Sequence, residues 1–507
     1  MNKKMTGSAL AYLLIVVDII VGIVFVPFLL SQLGDSEYGL YKLMFSTASY
    51  LSVLDFGIGA TITRYVVKFK TEKNKREEEN FVAMGLLIYA ALALIVLLSA
   101  VCINFAIPKM YAASIPAEKM MEARLMFLLL CVNTAVHLIS HAYSGLFHAY
   151  ERFVYSKLLS IIKILFRVLL IVIGVLLVKN AMVIVIVDVV LGMLALLCNI
   201  LYAKYSVKCK IKLHRWDRAL AKEAFVFTSA ILMQSIINQF NTNVDNLVLG
   251  VFTTTATIAM YSVALQLFNM YSNLSTAISS VYLPSVSRSV FRGDSDDEVT
   301  KKVIEPSRIQ LSILLLALSG YYLFGQTFIT LWVGEDFLYA YWIGAILLTA
   351  STLELSQNTI TSVLKAKNIL HGKTWILFGS TAVNVLLTFL LVPRYGAIGA
   401  TIGTAFSMIF GYGIALNIYY QKKAKINMKM YYLNTYRGVL PAAILSSLIG
   451  IPIVLFLKIG GWGGFLLKAG LYVGIYCVIL YLLGLNQDEK QSVRKILRKI
   501  KKTKKEI

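Results

Sequence analysis

The chain reads as an all-α polytopic membrane protein. It is expected to carry about fourteen transmembrane helices in two pseudo-symmetric six-helix lobes around a central cavity, with two extra C-terminal helices. Three observations predict this. Of the 507 residues, 58% are hydrophobic and only 15% charged, and the mean hydropathy is +0.73. Apolar runs of about 20 residues, the length that spans a bilayer as a helix and roughly twice that of a barrel strand, recur from end to end. The third is an internal repeat at an offset of 217 residues, which pairs His137 with Glu354, Ser140 with Gln357, His141 with Asn358, Ser144 with Thr361 and His148 with Lys365.

Taken in order, the spans fall at 8–33, 38–66, 81–107, 122–149, 152–178, 180–204, 222–250, 256–285, 301–333, 337–366, 374–392, 396–421, 436–457 and 465–484. The first follows MNKK, carries Asp18 and has no small-x-small cleavage site, so it is read as an uncleaved helix. The repeat lays the first helix on the seventh, the fifth on the eleventh and the sixth on the twelfth. Six spans per unit leave both units in the same orientation, the arrangement of a parallel-repeat transporter. The lobes are expected over 1–204 and 222–421, the extra helices over 436–484 and a basic cytoplasmic tail over 485–507. That tail, from Asp488 to Ile507, places Val493, Ile496, Leu497 and Ile500 on one face of a basic amphipathic helix.

The net charge of +23 is topology rather than a nucleic-acid footprint. With the N-terminus inside, the inner segments hold 37 basic residues and the outer segments only 8. The positive-inside rule therefore puts both termini in the cytoplasm, with anionic lipids as partners of the basic loops. The five cysteines have neither disulfide nor metal spacing. Short outer loops and the lack of Walker or HExxH motifs argue against a membrane enzyme such as a polymerase or ligase.

Polar residues at helical spacing locate a pathway. Ser49, Ser52, Asp55, Gly59 and Thr63 share a face of the second span, widened by Arg64. Ser235, Asn238, Thr242 and Asp245 line up on the seventh, Gln266, Asn269, Asn273, Thr276 and Ser280 on the eighth, and Glu354, Asn358, Thr361 and Lys365 on the tenth. Interhelical hydrogen bonding accounts for any one such stripe; several on corresponding helices of a repeat favour a hydrated cavity. Of the 49 basic residues, Arg64, Lys163, Arg167 and Arg308 are the four assigned to the spans rather than to the inner or outer segments. Lys163 and Arg167, four apart, lie about 16 to 22 Å from the inner end of their helix at 1.5 Å per residue. Left alone in lipid each would cost about 2.5 to 3.5 kcal/mol. They either pair with Asp18, Asp55 or Asp188, or bind an anionic headgroup. His137 and His141 share a face but offer only two metal ligands, so no metal is expected and polar packing is the default.

The segments LGDSEYGLY, SYLSVLDFGIGATITRY, YSVALQLFNMYSNLSTAISSVYLPSVSR and PRYGAIGATIGT resemble the Wzx-type oligosaccharide flippases of polysaccharide biosynthesis, relatives of MATE exporters and lipid II flippases. The resemblance spans nearly the whole chain, and fourteen helices suit this branch better than the twelve typical of MATE exporters. It implies alternating-access movement of a polyprenyl-diphosphate-linked oligosaccharide to the outer leaflet, for O-antigen, capsule or exopolysaccharide synthesis. It also implies a monomer in the bacterial cytoplasmic membrane, working beside polysaccharide assembly proteins. No cofactor is implied beyond a coupling cation, Na+ or H+. Cavity cations meeting the diphosphate map by role onto Lys163, Arg167, Arg64 and Arg308. The acidic and amide residues Asp18, Asp55, Asp188, Asn238, Asp245, Gln266, Asn269, Asn273, Glu354 and Asn358 complete the expected cavity. The competing reading is a cation-coupled exporter of amphipathic drugs, which the buried carboxylates keep open.

The topology is testable with single cysteines at Asn74 and Gly461 in a cysteine-free background. They should react with an impermeant maleimide from opposite sides of the membrane, and labelling of both from outside would overturn it.

Overall fold

The computed structural model describes residues 3–55, 57–491 and 494. The side chain of Asp18 and most of the expected tail helix, 492–493 and 495–507, lie outside the described residues. Within them every regular element is a helix, with no strand. The helices are α1 (Lys3–Leu33), α2 (Asp35–Ser49), α3 (Ile58–Thr71), α4 (Lys75–Met110), α5 (Ala117–Ala149), α6 (Phe153–Val178), α7 (Met182–Tyr202), α8 (Arg218–Phe252) and α9 (Thr255–Arg292). They continue with α10 (Asp296–Val333), α11 (Leu338–Ser356), α12 (Ile360–Ala366), α13 (Leu370–Met408), α14 (Leu416–Lys422), α15 (Met428–Tyr436), α16 (Val439–Phe456) and α17 (Gly461–Ile479). Among the described residues, ten helices or bent helical segments are long and apolar enough to cross a membrane.

The second and tenth expected spans are broken where continuous helices were expected. The second leaves α-helical geometry in a 3-10 turn over Tyr50–Asp55 and restarts after Gly57, whose φ of +68° is left-handed. Glycine reaches that conformation without the clash that a Cβ brings. The tenth stops at Ser356 and resumes at Ile360 across a turn in which Gln357 N–H donates to Glu354 O at 3.0 Å. Gly396, with φ +55° and ψ −134°, kinks α13 between the eleventh and twelfth expected spans.

The chain divides into two compact units, 1–263 with 381–403, and 264–380 with 404–507. In this division α8 and part of α13 fall in the first unit.

In the first unit, α3 crosses α5 backbone to backbone. A Cβ on Gly145 would collide with the carbonyl of Gly59, and Thr63 Oγ1 donates to Gly145 O at 2.9 Å. Small residues permit this approach, and a hydroxyl tightens it, as in membrane helix pairs generally. On its other side α8 is tied to α2 and α3. Asn246 Nδ2 donates to Ser46 Oγ at 3.0 Å, and Gln239 Nε2 to Ser49 Oγ at 2.7 Å. Thr61 and Thr228 share a hydroxyl hydrogen bond of 2.9 Å.

In the second unit, α16 and α17 pack on α10 around the buried rings of Tyr472 and Tyr476. Their hydroxyls donate to Ser319 Oγ at 2.6 Å and Ser312 O at 2.7 Å. Arg308 closes the end of this assembly. Its guanidinium donates to Glu489 at 2.7 and 3.1 Å, and to the carbonyls of Asn434, Arg437 and Gly484 at 2.5, 3.0 and 2.6 Å. All five guanidinium contacts are made by the protein itself, so this cation serves as a structural clamp.

Removing one member of such a buried pair is costly, because the remaining charge is stranded. Arg308→Met should lower the unfolding temperature of detergent-purified protein, at a cost on the order of 3 kcal/mol. Arg308→Lys should restore only part, since an ammonium cannot reach all these acceptors at once. An unchanged melt for Arg308→Met would refute the clamp.

Candidate functional site

A cavity of about 540 Å³ opens within the first unit. Three walls form it, each a polar face produced by helical spacing. The end of α2 and the 3-10 turn contribute Ser49, Ser52 and Asp55; α5 contributes Asn133, Thr134, His137 and His141; α8 contributes Ser235, Asn238, Gln239, Thr242 and Asn243. Phe45, Leu130 and Leu138 add apolar surface. Most of the polar lining consists of hydroxyl and amide groups, which can both donate and accept.

Asp55, the one acidic lining residue among the described residues, is held from two sides. His141 Nδ1 stands 3.2 Å from its Oδ2, and Tyr89 Oη donates to its Oδ1 at 2.6 Å. The Tyr89 hydroxyl in turn accepts from Gly59 N–H at 2.8 Å. The backbone break at Gly57 therefore presents the carboxylate to the cavity, while α4 and α5 fix its direction. With side-chain exposures of 28% for Asp55 and 48% for His141, both remain within reach of water and of a ligand.

Behind the α5 wall stand the cations of α6. This helix exposes Leu165, Leu169 and Leu176, and carries Lys163 and Arg167 one turn apart. They have different partners. Arg167 makes a bidentate bond to the buried Asp188 of α7, Nε to Oδ1 at 2.5 Å and Nη2 to Oδ2 at 3.0 Å, with Tyr41 Oη at 3.5 Å. Of the two readings open for Arg167, ion pairing is the one the geometry displays. Lys163 Nζ lies 3.1 Å from His137 Nε2, one side chain removed from the cavity. Its hydrogen-bond partner is a ring nitrogen, which accepts from the ammonium in the Nδ1–H tautomer, and Asp188, bonded to Arg167, acts on it only through space.

The remaining candidates are dispersed. Asn238 lines the cavity and accepts from Gln234 Nε2 at 3.0 Å. Arg64 is exposed on α3, its guanidinium 5.9 Å from the Tyr65 ring. Asp245 is buried, hydrogen-bonded by the hydroxyls of Tyr261 and, at 3.2 Å, Thr388. Gln266, Asn269 and Asn273 belong to the second unit, the last two exposed. Also there, Glu354 is hydrogen-bonded by Tyr412, and Asn358 Nδ2 donates to Ser275 Oγ at 3.1 Å. Arg308 is the clamp already described. The cavity thus gathers Asp55 and Asn238, with Lys163 behind His137, and not the whole expected set. His137 and His141, assigned to packing from the sequence, prove to be lining residues. Their spacing continues that of Asn133 and Thr134 and was the available signal. Among the described residues, no three His, Cys, Asp or Glu side chains are grouped to hold a metal ion.

A family model described as "Polysaccharide biosynthesis protein" matches residues 6–290. Two proteins of Haloferax volcanii are similar in sequence. "Probable flippase AglR" is 28% identical over 172 residues, 33% of this chain and 35% of that protein. "Probable low-salt glycan biosynthesis flippase Agl15" is 24% identical over 257 residues, 48% and 53% respectively. The chain therefore spans about a third and about half of the length of these two relatives. Among solved structures, the lipid II flippase MurJ in an inward closed conformation superposes with a TM-score of 0.72 at 16% identity, covering 94% of this chain and 98% of that one. An inward-facing MATE family multidrug resistance transporter gives 0.62 at 13% identity, covering 78% and 92%. At these identities the likeness is one of fold.

The Arg167–Asp188 pair yields a double-mutant test. Arg167→Gln strands a buried carboxylate and should lower the membrane level of the protein, with a stability loss of about 3 to 5 kcal/mol. Adding Asp188→Asn should restore most of it, as measured by immunoblot and detergent melting. A double variant no more stable than the single would refute the pairing.

Proposed function

Because the chain belongs to the polysaccharide biosynthesis protein family, we propose that it is a transporter, not an enzyme, which moves a polyprenyl-diphosphate-linked oligosaccharide from the inner to the outer leaflet. The observation that carries this reading is the first-unit cavity, with its hydroxyl and amide lining and, behind His137, a lysine hydrogen-bonded to an imidazole rather than to a carboxylate. Sugar hydroxyls exchange hydrogen bonds readily with Ser, Thr, Asn and Gln side chains, and a cavity wet enough for such groups spares the glycan a transfer into hydrocarbon. The diphosphate requires a cation, and Lys163 supplies one that swings on a flexible stem as the His137 ring moves aside. Alternating access would expose this lining to each side in turn. An inside-negative potential favours outward passage of the headgroup by about 2.3 kcal/mol per charge per 100 mV. A coupling cation, Na+ or H+, would meet Asp55, the carboxylate that lines the cavity. The setting is the bacterial cytoplasmic membrane, with both termini inside and a monomer acting beside polysaccharide assembly proteins.

A second reading, a cation-coupled multidrug exporter, draws on Asp55 facing the apolar surface of Phe45, Leu130 and Leu138. The readings part at Lys163. For a diphosphate carrier, Lys163→Gln should cut cellular export of lipid-linked glycan about tenfold, the worth of one charge-assisted hydrogen bond, at unchanged protein level. Lys163→Arg should retain export. Normal glycan export by a well-expressed Lys163→Gln variant, or drug sensitivity without a glycan defect in a deletion strain, would overturn the flippase reading.

A further inference from the structure

The linker between α7 and α8, residues 208–217, is the longest non-helical segment among the described residues, and it is pinned down rather than loose. Asn80 Oδ1, at the start of α4, accepts two successive backbone N–H groups, from His214 at 2.8 Å and Arg215 at 2.9 Å. His214 Nε2 lies 3.3 Å from Glu79 Oε2, and Arg215 Nη2 donates to Glu77 Oε1 at 3.0 Å. Glu78, the third acid of that turn, is taken by the hydroxyl of Tyr150. The three acids of that turn are thus occupied by Arg215, Tyr150 and His214, and the linker's own Asp217 lies 3.5 Å from Arg215 Nη2.

What the strap then presents outward is basic and apolar together. Lys208, Lys210 and Lys212 are exposed. Interleaved with them, Ile211, Leu213 and Trp216 are 41%, 44% and 50% exposed. Held at fixed backbone positions, these apolar side chains cannot fold back to cover one another. The segment begins directly at the end of an apolar membrane helix, and the positive-inside bias places it on the cytoplasmic side. Tryptophan and aliphatic side chains among lysines suit the boundary between headgroups and acyl chains, where rings and aliphatic groups are buried and ammonium groups reach phosphate.

We infer that residues 208–217 form an interfacial strap that docks on anionic phospholipid, with Trp216, Leu213 and Ile211 entering the headgroup boundary and Lys208, Lys210 and Lys212 selecting anionic over zwitterionic headgroups. The inference is independent of what the protein transports. Anchored at Asn80, the strap would hold the inner ends of α4, α7 and α8 in register with the leaflet surface.

The test reconstitutes the full chain into nanodiscs of mixed phosphatidylglycerol and phosphatidylcholine, in which one or the other lipid carries dibrominated acyl chains at equal mole fraction. Trp216 emission is taken as the difference between wild type and Trp216→Phe. Brominated phosphatidylglycerol should quench it roughly twofold more than brominated phosphatidylcholine. The Lys208→Gln/Lys210→Gln/Lys212→Gln variant should lose that preference while keeping the quenching itself. These lysines are exposed and outside the anchoring contacts, and the wild-type arm alone also decides the matter. Equal quenching by the two lipids in the wild type would overturn anionic selection. A preference that survives the triple substitution would show that these lysines do not cause it and overturn their role. Absence of quenching by either lipid would place the strap off the membrane, open to a soluble partner instead, and would overturn the docking altogether.

Discussion

A charge in hydrocarbon must find a partner or water, and this constraint sorts the ionisable groups of the protein into two populations. Arg167 and Arg308 are spent on the fold. Each uses the planar guanidinium as a multi-pronged donor, to Asp188 in one case and to Glu489 with three carbonyls in the other. Lys163, Asp55 and His141 are partnered less completely and stand at or just behind a polar cavity. The distinction follows from side-chain chemistry. A guanidinium locked by two or more acceptors gains rigidity and loses availability, whereas an ammonium on a flexible stem with one imidazole contact keeps the freedom to turn toward a ligand.

The same constraint governs the backbone. In a membrane, an unwound segment is tolerated where protein or a water-filled cavity satisfies its polar groups. The turn at Tyr50–Asp55 meets this condition, because Asp55 and the Gly59 N–H are joined through the Tyr89 hydroxyl. The irregularity and the polar site are therefore one feature: unwinding the helix turns a carboxylate into the cavity, and the carboxylate's partners stabilise the unwound geometry.

Much of this was legible in the sequence, and the limits are instructive. Ser49, Ser52, Asp55, Ser235, Asn238 and Thr242, which period-3.6 polarity places on shared faces, line the cavity, on α8 through helix geometry and at Ser52 and Asp55 through a 3-10 turn. The break at Gly57 was not anticipated, since a glycine inside an apolar run is compatible with a straight helix, and the left-handed φ is imposed by what packs around it. Arg308 looked like a cavity cation because its depth in the chain is readable while its partner, Glu489, lies 181 residues away. For Arg167, Asp188 stood among the candidate partners, 21 residues on, but nothing local in the sequence chose it over the other carboxylates or a headgroup. His137 and His141 were underweighted for a related reason: two histidines a turn apart look the same in sequence whether they pack or face water.

The glycine contact between α3 and α5 has a consequence for how such a protein can change. On α5 the lining positions, from Asn133 to His141, all precede the crossing at Gly145, where the two backbones touch without intervening side chains. The position of that helix is thus set by main chain, and its cavity face by side chains one or more turns away. Lining residues can be exchanged over evolutionary time without moving the beam that carries them, so descendants of one scaffold can diverge in the chemistry of the cavity while the architecture stays unchanged.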